Sequence, residues 1–165
     1  MIRLAELSDL PALLPVYEAA RRYMRENGNP TQWGDSNPPR ATLEEDIRRR
    51  QLYVDEREGA IHSAFAFILG EEPTYGVIEG AWPNDAPYGT VHRIASDGAV
   101  KGVFDRCMEF CKARTDELRI DTHADNRTML YLIARHGFQR CGIIHIADGT
   151  PRIAFQYSKT SCQPR

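Results

Sequence analysis

Apolar and polar positions along the chain predict an alternation of strands and helices. Residues 2 to 6 read as a strand. Leu10, Leu13, Leu14, Tyr17 and Met24 then keep the spacing of one helical face, with Ser8 as the expected cap, Pro11 tolerated in the first turn and Asn27-Gly28 ending the helix. The segment GNPTQWGDSNPP (28–39) holds three prolines, two glycines and one tryptophan, which predicts a loop with an apolar anchor. Thr42 and Glu45 have the spacing of a capping box for a short helix through Arg50, with Leu43 and Ile47 on its buried side. Leu52 to Glu56 and Ala60 to Leu69 flank an Arg57-Glu58-Gly59 turn as an antiparallel hairpin.

Between Glu71 and Gly89 the aromatics Tyr75, Trp82 and Tyr88 follow no period, which predicts a long ordered loop with a short strand around Tyr75 to Glu79. Strand Val91 to Ser96 follows, then the loop DGAVKG. The next helix carries Val100, Val103, Phe104, Cys107, Met108 and Cys111 on one side and Asp105, Arg106, Glu109 and Lys112 on the other. Leu118, Ile120 and Thr122 alternate with Arg119 and Asp121 as a strand, and a helix begins near Asn126. Phe138 to Ala147 and Arg152 to Tyr157 read as strands joined at the hairpin turn Asp148-Gly149. The reading is of one domain over residues 1–158, with an exposed tail at 159–165.

Composition narrows the function classes. A length of 165 residues suffices for a core without staples, and a net charge of −2 with mixed signs offers no field for nucleic acid or an anionic membrane. The chain opens directly on strand-like IRLAEL and has no apolar run near the ~20 residues that span a bilayer, so a soluble, cytoplasmic protein is expected. Cysteines at 107, 111, 141 and 162 match neither a zinc set nor a redox pair. Cys107 and Cys111 share the apolar helix face and read as buried thiols; no metal and no disulfide is expected.

The stretch from Val91 to Phe138 carries the candidate chemistry. A strand feeding through a glycine-containing loop into a helix start suits a phosphorylated ligand, because the first helical N–H groups have no carbonyl partner and the dipole favours anions. Gly98 and Gly102 allow close backbone approach, and Lys101 adds a point charge. The features HRIASDGAVKG, the following helix, LRIDTHADN, and Asn126 followed by Gly137-Phe138 resemble the acetyl-CoA-binding core of the GNAT family of N-acetyltransferases. With the flanking elements, the resemblance covers nearly the whole chain.

The resemblance implies an α+β fold: a mixed, mostly antiparallel sheet of six or seven strands with helices on both faces. It implies acetyl transfer from acetyl-CoA, as co-substrate, to a primary amine of a small molecule or a peptide N-terminus, without nucleic acid, membrane or metal. A non-catalytic CoA-binding sensor or interaction module is the alternative, and a homodimer is left open. The pantetheine arm is expected along the main chain of Ile94 and Ser96, where this strand splays from the next. The diphosphate is expected at Lys101, Gly102 and Val103, and Asn126 contacts the cofactor or simply caps its helix.

His92 is the first candidate for the base that takes the amine proton, since an imidazole is largely neutral at cellular pH; a buried structural histidine is the competing reading. Alternation would put His92 and Ile94 on one strand face. Glu79, expected in a segment facing that strand, is the second candidate. Gln32 and Trp33 would offer an orienting amide and a flat wall to the acceptor, or pack their loop on the core, with Trp82 and Tyr88 on the opposite wall. His123 is expected to make a structural hydrogen bond.

Two departures from the family pattern stand out. The diphosphate loop is shorter by two residues, and Ile133 occupies the place where many members carry the tyrosine that protonates the departing sulfur. Tyr131 does not replace it, since at ~100° per residue it points about 200° away from position 133. A thiol with a pKa near ~8.5 can leave as thiolate and be protonated by water.

Overall fold

The structure, a computed structural model, describes residues 1–162. Its elements in chain order are β1 (Ile2–Leu4), α1 (Leu10–Glu26), α2 (Arg40–Arg48), β2 (Leu52–Arg57), β3 (Ala60–Leu69), β4 (Glu79–Gly80), β5 (Gly89–Ser96), α3 (Val103–Lys112), β6 (Glu117–Thr122), α4 (Arg127–Arg135), β7 (Gln139–His145) and β8 (Pro151–Ser158). Eight strands, one or two more than expected, hydrogen bond in the order β1-β2-β3-β5-β6-β8-β7-β4. Antiparallel pairs dominate, and β5 with β6 is parallel. Of the expected tail, Lys159–Cys162 continues as a short 3-10 turn, and 163–165 lie outside the described residues.

The chain gathers into two compact units: Met1–Phe67 with His92–Cys107, and Ile68–Val91 with the residues from Met108 on. In the first unit α1 and α2 turn one apolar face each onto the sheet. Leu10, Leu13, Val16, Tyr17 and Ala20 of α1, with Leu43 and Ile47 of α2, bury against Leu52, Val54, Ala64, Ala66 and Ala95. The β2–β3 turn holds Glu58 and Gly59 at φ 51° and 79°, the left-handed pair that a two-residue hairpin demands.

Two helix starts differ from the expected ones. Ser8 does not cap α1. A 3-10 turn Leu7–Asp9 precedes it, and Asp9 accepts from the Glu6 N–H at 2.8 Å while forming a two-pronged ion pair with Arg3 at 2.8 and 3.0 Å. An ionised carboxylate outcompetes a neighbouring hydroxyl for such a donor. α2 begins at Arg40, two residues before Thr42, because extended Pro39 (ψ 155°) leads directly into it. Glu45 is then free to pair with Arg49 at 2.6 Å instead of closing a capping box.

In the second unit β6, β8 and β7 form a continuous antiparallel set, with β4 hydrogen bonded to the far edge of β7. Gly80 and Gly142 allow that approach, since a Cβ on either would run into the carbonyl of Cys141 or Glu79. The long segment before β5 is packed in place. Tyr75, Trp82 and Tyr88 join Ile144 and Ala154 in one cluster, the Trp82 Nε1 donates to the Tyr75 carbonyl at 3.0 Å, and the Tyr88 hydroxyl accepts from the Glu72 N–H at 2.8 Å.

Within the same unit the Arg119 guanidinium lies 4.0 Å from the Trp82 ring centre and 3.9 Å from that of Tyr88. It also donates to Gln156 at 2.9 Å and to the Asn84 carbonyl at 3.0 Å. Trp82 and Tyr88, expected as a wall for the acceptor, thus spend two ring faces on a buried cation.

Candidate functional site

β5 is the element from which the site is built. Its first residues obey ordinary parallel pairing, Gly89 with Leu118 and Thr90 with Arg119, and the register with β6 consists of those two pairs. Three residues further on, Arg93 adopts φ 51°, a left-handed conformation that costs a non-glycine residue about 1–2 kcal/mol. Such a residue persists only where its surroundings hold it.

They do so here from two helices. The Arg93 Nε donates to Asp46 Oδ2 at 2.7 Å and a terminal nitrogen to Oδ1 at 2.9 Å, a forked ion pair with a carboxylate whose side chain is 4% exposed. The Arg93 carbonyl accepts from the Tyr17 hydroxyl at 2.8 Å. Burial pushes the Tyr17 phenol well above its ordinary pKa and Asp46 adds to this, against the opposing charge of Arg93, so that the hydroxyl stays protonated and donating. Asp46 is itself held by the Gln51 side-chain amide at 2.8 Å.

This left-handed residue corrects the expected strand geometry. A left-handed residue between His92 and Ile94 interrupts the two-residue alternation, so those side chains cannot be placed on a common face by counting. His92 and Ile94 are half-buried and Ala95 is buried.

Past Ser96 the chain makes a turn from its own side chains. The Gly98 N–H donates to Ser96 Oγ at 3.0 Å and the Ala99 N–H to Asp97 Oδ1 at 2.8 Å. His62 Nδ1 lies 2.7 Å from Asp97 Oδ2, and the Asp97 N–H donates to the His62 carbonyl at 3.0 Å. Gly102, at φ 72°, turns the chain into α3, whose first residue is Val103. Lys101 and Gly102 are exposed, whereas Phe104 is 4% exposed.

Arg106, one helical turn into α3, reaches back to the loop. One terminal nitrogen donates to the Lys101 carbonyl at 2.7 Å and Nε donates to Asp55 at 2.7 Å. Burial works to raise the Asp55 carboxyl, but hydrogen bonds from Arg106 and the terminal amine, with the charges of Arg106 and Arg57, outweigh it and hold its pKa below the usual range. The contact to Arg106 ties the Lys101 carbonyl to the helix that follows it.

The other sequence candidates fall as follows. Asn126 is 6% exposed and caps α4, its Oδ1 accepting from the Met129 N–H at 3.1 Å. Ile133 is fully buried and Tyr131 is 64% exposed. His123 Nδ1 accepts from the Asp125 N–H at 3.0 Å, a local structural bond. The Gln32 Oε1 accepts from the Asn29 side chain at 2.8 Å, and Trp33 packs against the core with its ring 5.9 Å from that of Tyr17.

Glu79 does not face β5, as expected for a second base. It is exposed on β4, opposite Ile143 of β7, four places from β5 in the strand order. Its segment pairs with the outer edge of β7 because Gly142 leaves room there. No group of three or more metal-ligating side chains occurs among the described residues.

Sequence reasoning missed Arg93, Asp46 and Arg106 as parts of this arrangement. Two of the signals were visible. An arginine stands in the middle of the strand VHRIAS, and Asp46 falls on the apolar stripe of α2 between Leu43 and Ile47. A charge in a buried stripe calls for a partner.

A mostly antiparallel sheet with a left-handed residue in one strand, followed by a glycine turn and a helix start, agrees with the fold that the resemblance implies. Comparison with known proteins bears this out. A crystal structure of a GNAT-family acetyltransferase from Streptococcus agalactiae is similar at 30% identity and TM-score 0.84, over 96% of this chain and 95% of that one. A ribosomal-protein-alanine N-acetyltransferase from Brucella melitensis shares the fold at 20% identity and TM-score 0.61, over 96% and 99%. So does a Salmonella typhimurium protein solved with acetyl-CoA, at 13% identity and TM-score 0.59, over 96% and 93%. No family model and no curated protein matches the sequence. The chain belongs to the GNAT family of acetyltransferases.

No helix among the described residues is long and apolar enough to cross a membrane.

Proposed function

We propose that the protein transfers the acetyl group of acetyl-CoA to a primary amine of a small molecule or a peptide N-terminus. The observation that carries this reading is β5 itself: two residue pairs with β6, then a left-handed Arg93, then a main chain leading through a glycine turn to the start of α3. The pantetheine amides hydrogen bond along Ile94 to Ser96. The diphosphate is received by the N–H groups around Gly102 and Val103, with Lys101 adding charge and Arg106 bracing the loop. Asn126 is a further cofactor contact alongside its capping role, and Gln32 and Trp33 belong to the acceptor side.

The amine nitrogen attacks the thioester carbonyl carbon, and the Ile94 N–H stabilises the charge that develops on oxygen. The C–N bond forms, the C–S bond breaks, and thiolate leaves to be protonated by water. His92, half-buried on the same strand, takes the amine proton directly or through a water. Binding both reactants in one orientation supplies much of the acceleration.

Acetyl-CoA should raise the melting temperature, and CoA release with an amine panel should identify the acceptor. His92→Ala should lower kcat about 100-fold while changing the acetyl-CoA Kd less than threefold. Binding of acetyl-CoA with no CoA release on any amine would assign the chain instead as a CoA-binding sensor.

A further inference from the structure

We infer that Tyr17 and Asp46 are positioning residues for acetyl transfer, acting through Arg93 to aim the Ile94 N–H at the thioester oxygen. The inference rests on the reading of β5 as the acetyl-CoA strand. In a trans peptide the C=O of one residue and the N–H of the next point in opposite directions. The Tyr17 hydroxyl holds the Arg93 carbonyl at 2.8 Å, so it also fixes the Ile94 N–H on the side away from α1. That orientation exists because Arg93 is left-handed, and the forked contact with Asp46 at 2.7 and 2.9 Å clamps it there.

The supports are themselves immobilised. The Tyr17 ring is fully buried beside Trp33, and Asp46 is 3% exposed. The Asp46 carboxylate takes a third hydrogen bond from Gln51, whose N–H is held by the Asp46 carbonyl at 3.0 Å. Three elements, α1, α2 and β5, therefore meet at one residue, α1 holding its carbonyl and α2 its guanidinium. An ion pair that only stabilised the fold would require neither a strained backbone at its arginine nor a hydroxyl on that arginine's carbonyl. Both are required if the peptide plane must stand at one angle.

Glycine separates the two roles, because it adopts φ near 51° without strain and carries no guanidinium. The test compares Tyr17→Phe, Asp46→Asn, Arg93→Ala and Arg93→Gly by steady-state kinetics with acetyl-CoA and the best amine, circular dichroism confirming the fold of each. Tyr17→Phe and Asp46→Asn are expected to lower kcat about tenfold or more while the acetyl-CoA KM moves less than threefold. Arg93→Ala is expected to lose more than Arg93→Gly, with glycine recovering at least half of the loss on a logarithmic scale.

Equal losses for alanine and glycine, or an unchanged kcat in folded Tyr17→Phe, would overturn the inference and leave the transferase reading standing. A wild-type protein that neither binds acetyl-CoA nor releases CoA would overturn both. Should Asp46→Asn or the Arg93 variants fail to fold, Tyr17→Phe decides alone, since it leaves the buried Asp46–Arg93 pair in place.

Discussion

Replacing Arg119 with methionine tests whether the segment between β3 and β5 is a fixed wall. Arg119 is 5% exposed, stacked by Trp82 and Tyr88 and bonded to Gln156 and the Asn84 carbonyl. Gln156 carries the contact on to Glu117 at 2.7 Å, and Glu117, 8% exposed, is also held by the Ser158 hydroxyl. Methionine keeps most of the volume but removes the charge, both hydrogen bonds and the two ring contacts, and leaves the Gln156 amide oxygen and the Asn84 carbonyl without their donor.

Losing two hydrogen bonds made by a charged donor in this way costs about 3–5 kcal/mol. For a domain of this size each kcal/mol moves Tm by about 2–4 °C, so a fall of roughly 6–20 °C is expected. Arg119→Lys, which keeps the charge but loses the planar fork, should fall by a smaller amount. Calorimetry gives the Tm, and limited proteolysis should show new cleavage between Gly70 and Tyr88 in the methionine variant before global unfolding. A Tm within 2 °C of wild type, with that segment still protected, would refute the argument.

Two further outcomes follow from the geometry. Arg106→Gln should raise the KM for acetyl-CoA about tenfold but leave that for acetyl-pantetheine, which lacks the diphosphate, within threefold; equal losses with both thioesters would count against a phosphate-loop role. Asp9, lowered chiefly by its hydrogen bond from Arg3, and Asp55, lowered as described above, each titrate below their unfolded value. Their stabilisation is therefore complete above about pH 4 and is lost as pH falls through the folded values. Asp9→Asn should flatten the acid limb of a urea-denaturation series, and an unchanged limb would show that Asp9 contributes nothing there.

Local chemistry was legible in the residues. The helices, the Glu58-Gly59 and Asp148-Gly149 turns, the buried Cys107 and Cys111 and the Asn126 cap all depend on spacing within a few positions, which a sequence displays directly. The resemblance across HRIASDGAVKG and LRIDTHADN led to the right family because those residues shape backbone, and backbone shape is what the fold retains. Glu79 shows where such reading stops. Its strand joined β7 because of two glycines some sixty residues apart, a pairing no local period encodes.

By itself, then, the sequence determined which segments are helix and strand, which thiols are buried and which family the chain joins, since each follows from periodicity and from short-range backbone constraints. Only the tertiary structure decided that Arg93 is left-handed, that Tyr17 and Asp46 hold it, and that Arg119 spends two aromatic rings. Those contacts join residues far apart in the chain, and their energies exist only once the partners have been brought together and cut off from water.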